Sequence, residues 1–463
     1  MATSENEVLI RRTTGYLVEK YSPSGNRVGW LMIASILIEA WDLYSISFIL
    51  IFLKDQFEPS ALMLGLVSGS VQLGAVIGAL GGGWLSDKIG RRYVFLATMI
   101  TFVVLGLAQG FAPNMATLMV IRFVLGIPLG TDIANGYTYI MESMPRGRRE
   151  VMGNRWQGMF GLGGVLAIIV TLVLLLTGVP HTMLWRIVLG FGAVPALVLF
   201  VLRRNLPETA VWLVQRGRWR EAKQVTRDMY GDPLDLLPDH DVQIPQPKLR
   251  QFLRAIRPNP LAFRSTVFGW ISCFMQGAEH ATFGFFVPIT FVLIGVSGIL
   301  ATNVTNLVIY AIGAIAGFIA PQLTPRLGQR GTSITGYSIT FVSLTVTALA
   351  ILTQNLVVVP IAVCFYLVGH HWAASNAMTV ASVVAPPAYR GTASGFSYIF
   401  TKAVSFLGIT LFPLIFDAIG QGLSTLLTAA FSLIGLLSAI FIFREIYGYS
   451  EAGTTSEEAA ERA

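Results

Sequence analysis

Charge is what this sequence most lacks. Only 12% of its 463 residues are Asp, Glu, Lys or Arg, while 54% are hydrophobic. A soluble domain carries roughly 25% charged residues, so there is too little charge here to cover a surface facing water. The mean hydropathy of +0.65 agrees. Cysteine is scarce as well. Cys273 and Cys364 both sit inside apolar runs and read as small core residues rather than a disulfide. No Gly-x4-Gly-Lys-Ser/Thr stretch is found, which leaves nucleotide-driven transport unsupported. No nucleophile–base set or metal cluster stands at an accessible interface, so neither an enzyme nor a cofactor is expected. His370-His371 is no metal signature, because neighbours on a helix point about 100° apart. Residues 1–27 are polar and of mixed charge, without the apolar core or cleavage site of a leader, so the first span itself should direct insertion.

What is present is a series of long apolar runs. They lie near 29–53, 62–82, 93–111, 115–140, 156–178 and 185–203, then near 265–295, 302–323, 333–352, 356–384, 392–416 and 421–443. Runs of this size cross the roughly 30 Å apolar core of a bilayer. The expectation is an all-α membrane protein with 12 transmembrane helices in two six-helix halves, 29–203 and 265–443. A polar segment precedes them (1–28), a linker joins them (204–264) and a tail follows (444–463), its end at 453–463 read as disordered. The net charge of +7 does not point to nucleic acid, because the cations gather on one side of this topology. Arg11, Arg12, Lys20 and Arg27, then Lys88, Arg91 and Arg92, then Arg146, Arg148, Arg149 and Arg155 share that side with the linker, whereas Lys54 alone falls in a loop on the other. Cations in short loops mark the cytoplasmic face, which places both termini inside, in a cell membrane. Within the linker, Pro207 and Glu208 suit a helix start. Val211, Trp212, Trp219, Ala222 and Val225 then recur beside Arg216, Arg218, Arg220 and Lys223, as in a basic amphipathic helix on the inner membrane surface.

One short loop carries more than topology. Gly83-Trp84-Leu85-Ser86-Asp87-Lys88-Ile89-Gly90-Arg91-Arg92 joins the second and third runs. A basic turn alone explains its arginines but not Asp87 with both glycines. The stretch resembles the loop between helices 2 and 3 of the major facilitator superfamily. Further stretches carry the same resemblance: Arg122 with Gly126 and Gly130; Glu142 to Arg149; Trp185-Arg186; Pro207-Glu208 with Trp212; and Pro387 to Gly395 with Arg390. Trp185-Arg186 and Pro207-Glu208 with Trp212 are similar to the sugar-porter and metabolite:proton-symporter branch, and Pro387 to Gly395 is the equivalent loop between spans 10 and 11. A weaker copy of the loop, Pro325-Arg326-Leu327-Gly328-Gln329-Arg330, follows the eighth run with proline in place of the aspartate. The resemblance implies parallel halves that alternate access to a midplane site. It also implies an inner gate built from Gly83, Asp87, Gly90, Arg91, Arg92, Glu142, Arg146 and Arg390, with Asp87 contacting helix N-termini and Arg146 or Arg148. Gly130-Thr131-Asp132 and Thr401-Lys402 are similar to positions of phosphate:proton symporters. Span 7 departs from that group, reading Gln276-Gly277-Ala278-Glu279-His280.

Ionisable groups at hydrocarbon depth are costly and usually face a cavity or a partner. Asp42 lies near the middle of span 1, with Glu39 one turn earlier, and Arg122 lies on span 4. Asp42 with Arg122 is the expected proton-coupling pair, because a carboxylate that trades its arginine for a proton links protonation to conformation. A static tie between the spans is the alternative. Asp132 is either a second carrier or a helix–helix hydrogen-bonding group. Lys402 offers positive charge to an anion. His280, Glu279, Gln276, Asn376, His371, Gln157 and Trp41 complete the candidate substrate contacts. The function expected is proton-coupled symport of a small organic or inorganic anion by a monomer. A sugar symporter or facilitator is the alternative, and a non-transporting receptor of the same fold the alternative of another class.

Overall fold

The computed structural model describes residues 2–244, 251–293, 295, 298–355 and 357–449, and every regular element among them is helical. The expected tail at 453–463 lies outside them. A helix, α1 (Ala2–Leu17), precedes the bundle. Span 1 is α2 (Gly25–Ile33) continued by α3 (Ser35–Phe57); spans 2, 3 and 4 are α4 (Ala61–Ile89), α5 (Arg91–Gly110) and α6 (Met115–Ser143). After α7 (Arg148–Asn154), span 5 is α8 (Trp156–Leu176), and span 6 is α9 (His181–Gly190) with α10 (Ala193–Arg203). The linker carries α11 (Ala210–Gln215), α12 (Trp219–Tyr230) and α13 (Phe252–Ile256). Span 7 is α14 (Pro260–Thr282), extended through a 3-10 turn into α15 (Val287–Leu293).

Two stretches, α16 (Ile299–Leu352) and α19 (Arg390–Phe441), each hold a pair of helices joined without a loop. In each, the chain reverses at one glycine, Gly328 (φ 73, ψ 171) and Gly420 (φ 76, ψ 168), a conformation that a side chain disfavours. They supply spans 8 and 9, and 11 and 12. Span 10 is α17 (Val358–Ala374) with α18 (Ala377–Val384). The twelve-helix expectation stands, and glycine is the hinge at both hidden boundaries.

Small residues set how closely the spans approach. A Cβ on Gly74 or Gly78 would lie 1.9 Å from the carbonyl oxygen of Phe123 or Ile127; one on Gly126 or Gly130 would lie 2.1 Å from that of Val71 or Ala75. Spans 2 and 4 therefore interlock backbone to backbone through glycines four apart, the packing open to helices without a hydrophobic driving force between them. The halves meet in the same way. Gly83 faces the carbonyl of Gly391 and Gly161 faces Ala314, where an added Cβ would stand 2.3 Å and 2.6 Å away.

The linker departs from expectation. Its helix begins at Ala210 with Thr209 as the cap (Trp212 N to Thr209 Oγ1, 3.3 Å), and it breaks at Gly217 (φ 72). Pro207 and Glu208 lie before it rather than in its first turn. The apolar face, with Trp212, Trp219, Ala222 and Val225, is buried against Leu17 and Val18 at the end of α1 and against Leu234 and Leu237. Protein covers this face rather than the membrane surface. The helix α1 itself went unread, since its charges mask Leu9, Ile10 and Leu17.

Gly78→Leu should drive spans 2 and 4 apart by overpacking, which costs about 1–3 kcal/mol or more, whereas Gly81→Ala meets open space. The first variant should melt well below the wild type in detergent and elute as aggregate, and the second should match the wild type. Equal melting of the two variants would refute the packing argument.

Candidate functional site

At the centre of the bundle the two halves enclose a cavity of about 20 Å³, room for about one water. Span 1 contributes Glu39, span 5 Trp156, Gln157 and Phe160, span 7 Gln276 and His280, span 10 His370, and span 11 Tyr398, Thr401 and Lys402. The halves touch on both sides of it. Toward the linker, the Asn154 side-chain amide donates to Thr379 Oγ1 (2.5 Å) and to Ser375 O (3.3 Å); on the far side, Ser47 Oγ donates to Phe285 O (2.9 Å), and the Tyr44 and Tyr310 rings meet at 4.9 Å. The conformation is occluded.

Lys402 is not a standing anion site. Its Nζ donates to Glu39 Oε1, with both side chains almost fully buried, and it lies over the Tyr398 ring, 4.9 Å from the centroid. The anion-seeking charge expected of Lys402 is already answered, and Glu39 is its partner rather than a companion of Asp42. The sequence gives no hint of this. Span 1 is apolar all round, so periodicity does not tell which face turns to span 11.

Asp42 and Arg122 meet as expected. Arg122 Nη1 and Nη2 donate to Asp42 Oδ1 and Oδ2 at 3.2 and 3.1 Å, and Arg122 Nε donates to Val67 O at 3.0 Å. Gln109 of span 3, which went unread, closes the group: it donates to Asp42 Oδ1 (3.1 Å) and accepts from Arg122 Nη1 (3.0 Å). A two-point arginine–carboxylate contact is strong and directional. Asp132 is paired in a similar way. It accepts from Arg203 Nη1 at 3.2 Å and from Thr98 Oγ1 at 2.9 Å, while Arg203 also donates to the carbonyls of Leu31 and Met32. This ties spans 1, 3, 4 and 6 together away from the cavity. Arg203 was hidden as one more cation at the linker's edge.

Of the seven other residues proposed to contact substrate, three reach the cavity wall with Lys402. Gln157 is buried, and its Oε1 has no hydrogen-bond partner among the described residues. Gln276 is committed to Thr401 (3.2 Å). His280 stands edge-on to Tyr44 and Phe160 and stacks on His370 at 5.5 Å, with neither ring nitrogen hydrogen-bonded among the described residues. The other four turn elsewhere. Glu279 Oε1 is 2.7 Å from His370 Nδ1, and its Oε2 accepts from Ser432 Oγ at 2.6 Å, so it binds spans 7, 10 and 12. Trp41 donates to Val188 O (3.2 Å) and packs on Phe191. Asn376 holds Gln329 O (2.6 Å) and accepts from Ser333 Oγ (3.0 Å). His371 is hydrogen-bonded to Leu367 O (2.8 Å) within its own helix.

The linker-side loops form one charged lattice. Arg91 donates to Glu142 at 3.2 and 2.8 Å and to Ser86 O at 2.8 Å, and lies 2.9 Å from Asp87. Asp87 Oδ2 crosses to the second half, accepting from Thr392 N (3.1 Å) and Thr392 Oγ1 (3.0 Å) near the start of α19. The helix N-terminus was expected, but Arg146 and Arg148 were not its partners. Arg146 pairs with Glu19 (3.0 Å) and Arg148 lies over Tyr21. Arg390 is buried beside that crossing at the start of α19. Glu142 also accepts from Thr209 Oγ1 (2.5 Å). Glu208 Oε2 accepts from Arg92 N (3.1 Å) just past Gly90 (φ 107); burial pushes its carboxyl upward against the pull of Arg91 and those N–H groups. In the second half Glu445 does the same past Gly328, accepting from Gln329 N (2.9 Å) and Arg330 N (3.0 Å). The weak sequence repeat is thus a structural one, without a second aspartate.

A family model described as "Sugar (and other) transporter" matches residues 28–451. The arabinose-proton symporter of Escherichia coli (strain K12) is 30% identical over 293 residues, 62% of this chain and 60% of that symporter's own length. The major myo-inositol transporter IolT of Bacillus subtilis (strain 168) is 26% identical over 411 residues, 84% of each chain. Among solved structures, the proton:xylose symporter XylE bound to 6-bromo-6-deoxy-D-glucose superimposes with a TM-score of 0.78, over 93% of this chain and 98% of that one, at 18% identity. At that identity the likeness concerns the fold.

Asp87→Asn removes the charge from the contact across the halves. Hydrogen bonds to charged groups contribute about 1.5–3 kcal/mol, so the linker-side open population should rise roughly tenfold or more. A cysteine at Ser405 on the cavity wall, with Cys273 and Cys364 replaced, should then label faster with a maleimide applied from the linker side. Labelling at the wild-type rate would leave Asp87 without a gating role.

Proposed function

The chain belongs to the sugar (and other) transporter family, and from that premise we propose that it carries a small polar metabolite together with a proton by alternating access. The observation that carries this reading is the closed Asp42–Arg122–Gln109 group, buried beside but not inside the central cavity. A proton on Asp42 cancels the charge that holds Arg122, leaving the guanidinium to its carbonyl and amide partners and loosening span 1 from span 4. Substrate need not touch the pair for this to happen. The proton acts on how span 1 is held, and the cavity acts on the solute.

The side carrying the linker, α1 and the Asp87 lattice is the cytoplasmic one, by the weight of Lys and Arg there. Both termini then lie inside, in a cell membrane. The unit is a monomer, since one chain encloses the cavity and both closures. The polar segment 1–28, the halves 29–203 and 265–443, the linker 204–264 and the tail from 444 are its working parts. Gln157 and His280 meet the solute directly, and Asp87, Arg91 and Glu142 hold the inner side shut. A neutral sugar or polyol is a second reading, favoured by relatives that carry arabinose or myo-inositol.

In proteoliposomes, Asp42→Asn should abolish accumulation driven by a pH gradient while exchange of solute persists in part. Accumulation in that variant with wild-type pH dependence would remove Asp42 from coupling.

A further inference from the structure

The cavity wall holds one cation, and it is locked to a carboxylate from the opposite half. Glu39 of span 1 and Lys402 of span 11 are each 3% exposed and joined only across the two halves. Any solute that seats itself between the halves must part them, because the cavity holds about 20 Å³. Parting them splits this pair. The Asp42–Arg122 pair, by contrast, lies within one half, so parting the halves does not itself split it.

We propose that the Glu39–Lys402 pair reads the charge of the solute, and that the ligand is a small hydroxylated monoanion of the hydroxy-acid or sugar-acid class. The ligand carboxylate replaces Glu39 on Lys402, and Glu39 takes up a proton as it is released. The exchange balances. The resting pair is neutral overall, one anion and one proton enter together, and the loaded site is neutral again: a lysine–carboxylate pair beside a carboxylic acid. A neutral sugar brings hydroxyls but no counter-charge, so once it parts the pair both ions are left without a charged partner in a low-dielectric cavity. A cationic solute needs the reverse exchange, with Lys402 losing a proton.

Three details of the site agree. Glu39 Oε2 has no hydrogen bond of normal geometry among the described residues, and the one donor beside Glu39, the Tyr398 hydroxyl, can turn to accept when a proton settles there. Lys402 has three N–H donors, enough to keep a ligand carboxylate while Glu39 withdraws. Around them, Gln157 Oε1, both ring nitrogens of His280 and the hydroxyl of Tyr137 lack partners among the described residues, a set suited to hydroxyls rather than to a second charge. The titratable groups facing the pair are Tyr137 from span 4, Tyr398 from span 11, His280 from span 7 and His370 from span 10. His370 is already held by Glu279, and span 5 brings Trp156, Gln157 and Phe160, which carry no charge. A single lysine matches a monoanion, and a dianion would leave one charge uncovered.

This assignment rests on the transporter reading above, so its test is made at equilibrium. Binding of lactate, glycerate, gluconate, galacturonate, L-arabinose and inorganic phosphate to the purified full chain is measured by calorimetry in buffers of different ionisation heat. At least one hydroxy acid should bind with uptake of about one proton per anion, and at least roughly tenfold more tightly than arabinose or phosphate. Glu39→Gln should keep that binding and abolish the proton uptake, and Lys402→Gln should weaken it roughly a hundredfold. The proposal is overturned by tighter binding of arabinose or phosphate, by acid binding without proton uptake in the wild type, or by absence of acid binding up to millimolar concentration. The wild-type heats decide the matter even if a variant fails to fold. Acid binding with proton uptake, but no accumulation in liposomes under a pH gradient, upholds the ligand assignment while removing the symport reading.

Discussion

A charge at hydrocarbon depth has to be answered by another, and the architecture of this bundle follows from where those answers lie. Span 1 carries two carboxylates one turn apart. Asp42 is answered within its own half by Arg122, and Glu39 is answered across the interface by Lys402. One helix is therefore fastened to both halves by separate electrostatic ties. A change in the protonation of either tie alters how span 1 is held without any change in its apolar packing. The second half has its own closed group in Glu279, His370 and Ser432, and the linker-side ends have Arg91 with Asp87 and Glu142.

Those ties act over short distances, so the helices must approach closely for them to form. The glycines of spans 2 and 4 provide that approach within the first half, and Gly83 against Gly391 provides it between halves, one turn from Asp87 and its contact with Thr392. Packing and charge are coupled at this point. A side chain at Gly83 would push the start of α19 beyond the reach of Asp87.

Much of this was legible in the sequence. The apolar runs gave the spans, and the Asp87 loop gave the family. The depth of Asp42 and Arg122 was enough to pair them, because each lies on a helix expected at the centre. The failures share one cause. Lys402 was read as free, Trp41 and Asn376 as cavity residues, and Arg203 as a loop cation, because a helix that is apolar on every face does not reveal which side turns inward. The linker went wrong for a related reason. An amphipathic face signals only that something covers it, and here the cover is chain, Leu17 from the end of α1 and Leu234 from the linker itself, rather than lipid.

Glu208 and Glu445 occupy the same place in the two halves, each just past the sixth helix of its half and each satisfying the exposed N–H groups at the start of the third. Synthesis runs from the N-terminus, so Glu208 leaves the ribosome before any residue of the second half exists. The first half can thus latch its third helix while the rest is still being made, and the second repeats the step about 240 residues later. Each half carries its own closing stitch at its trailing edge.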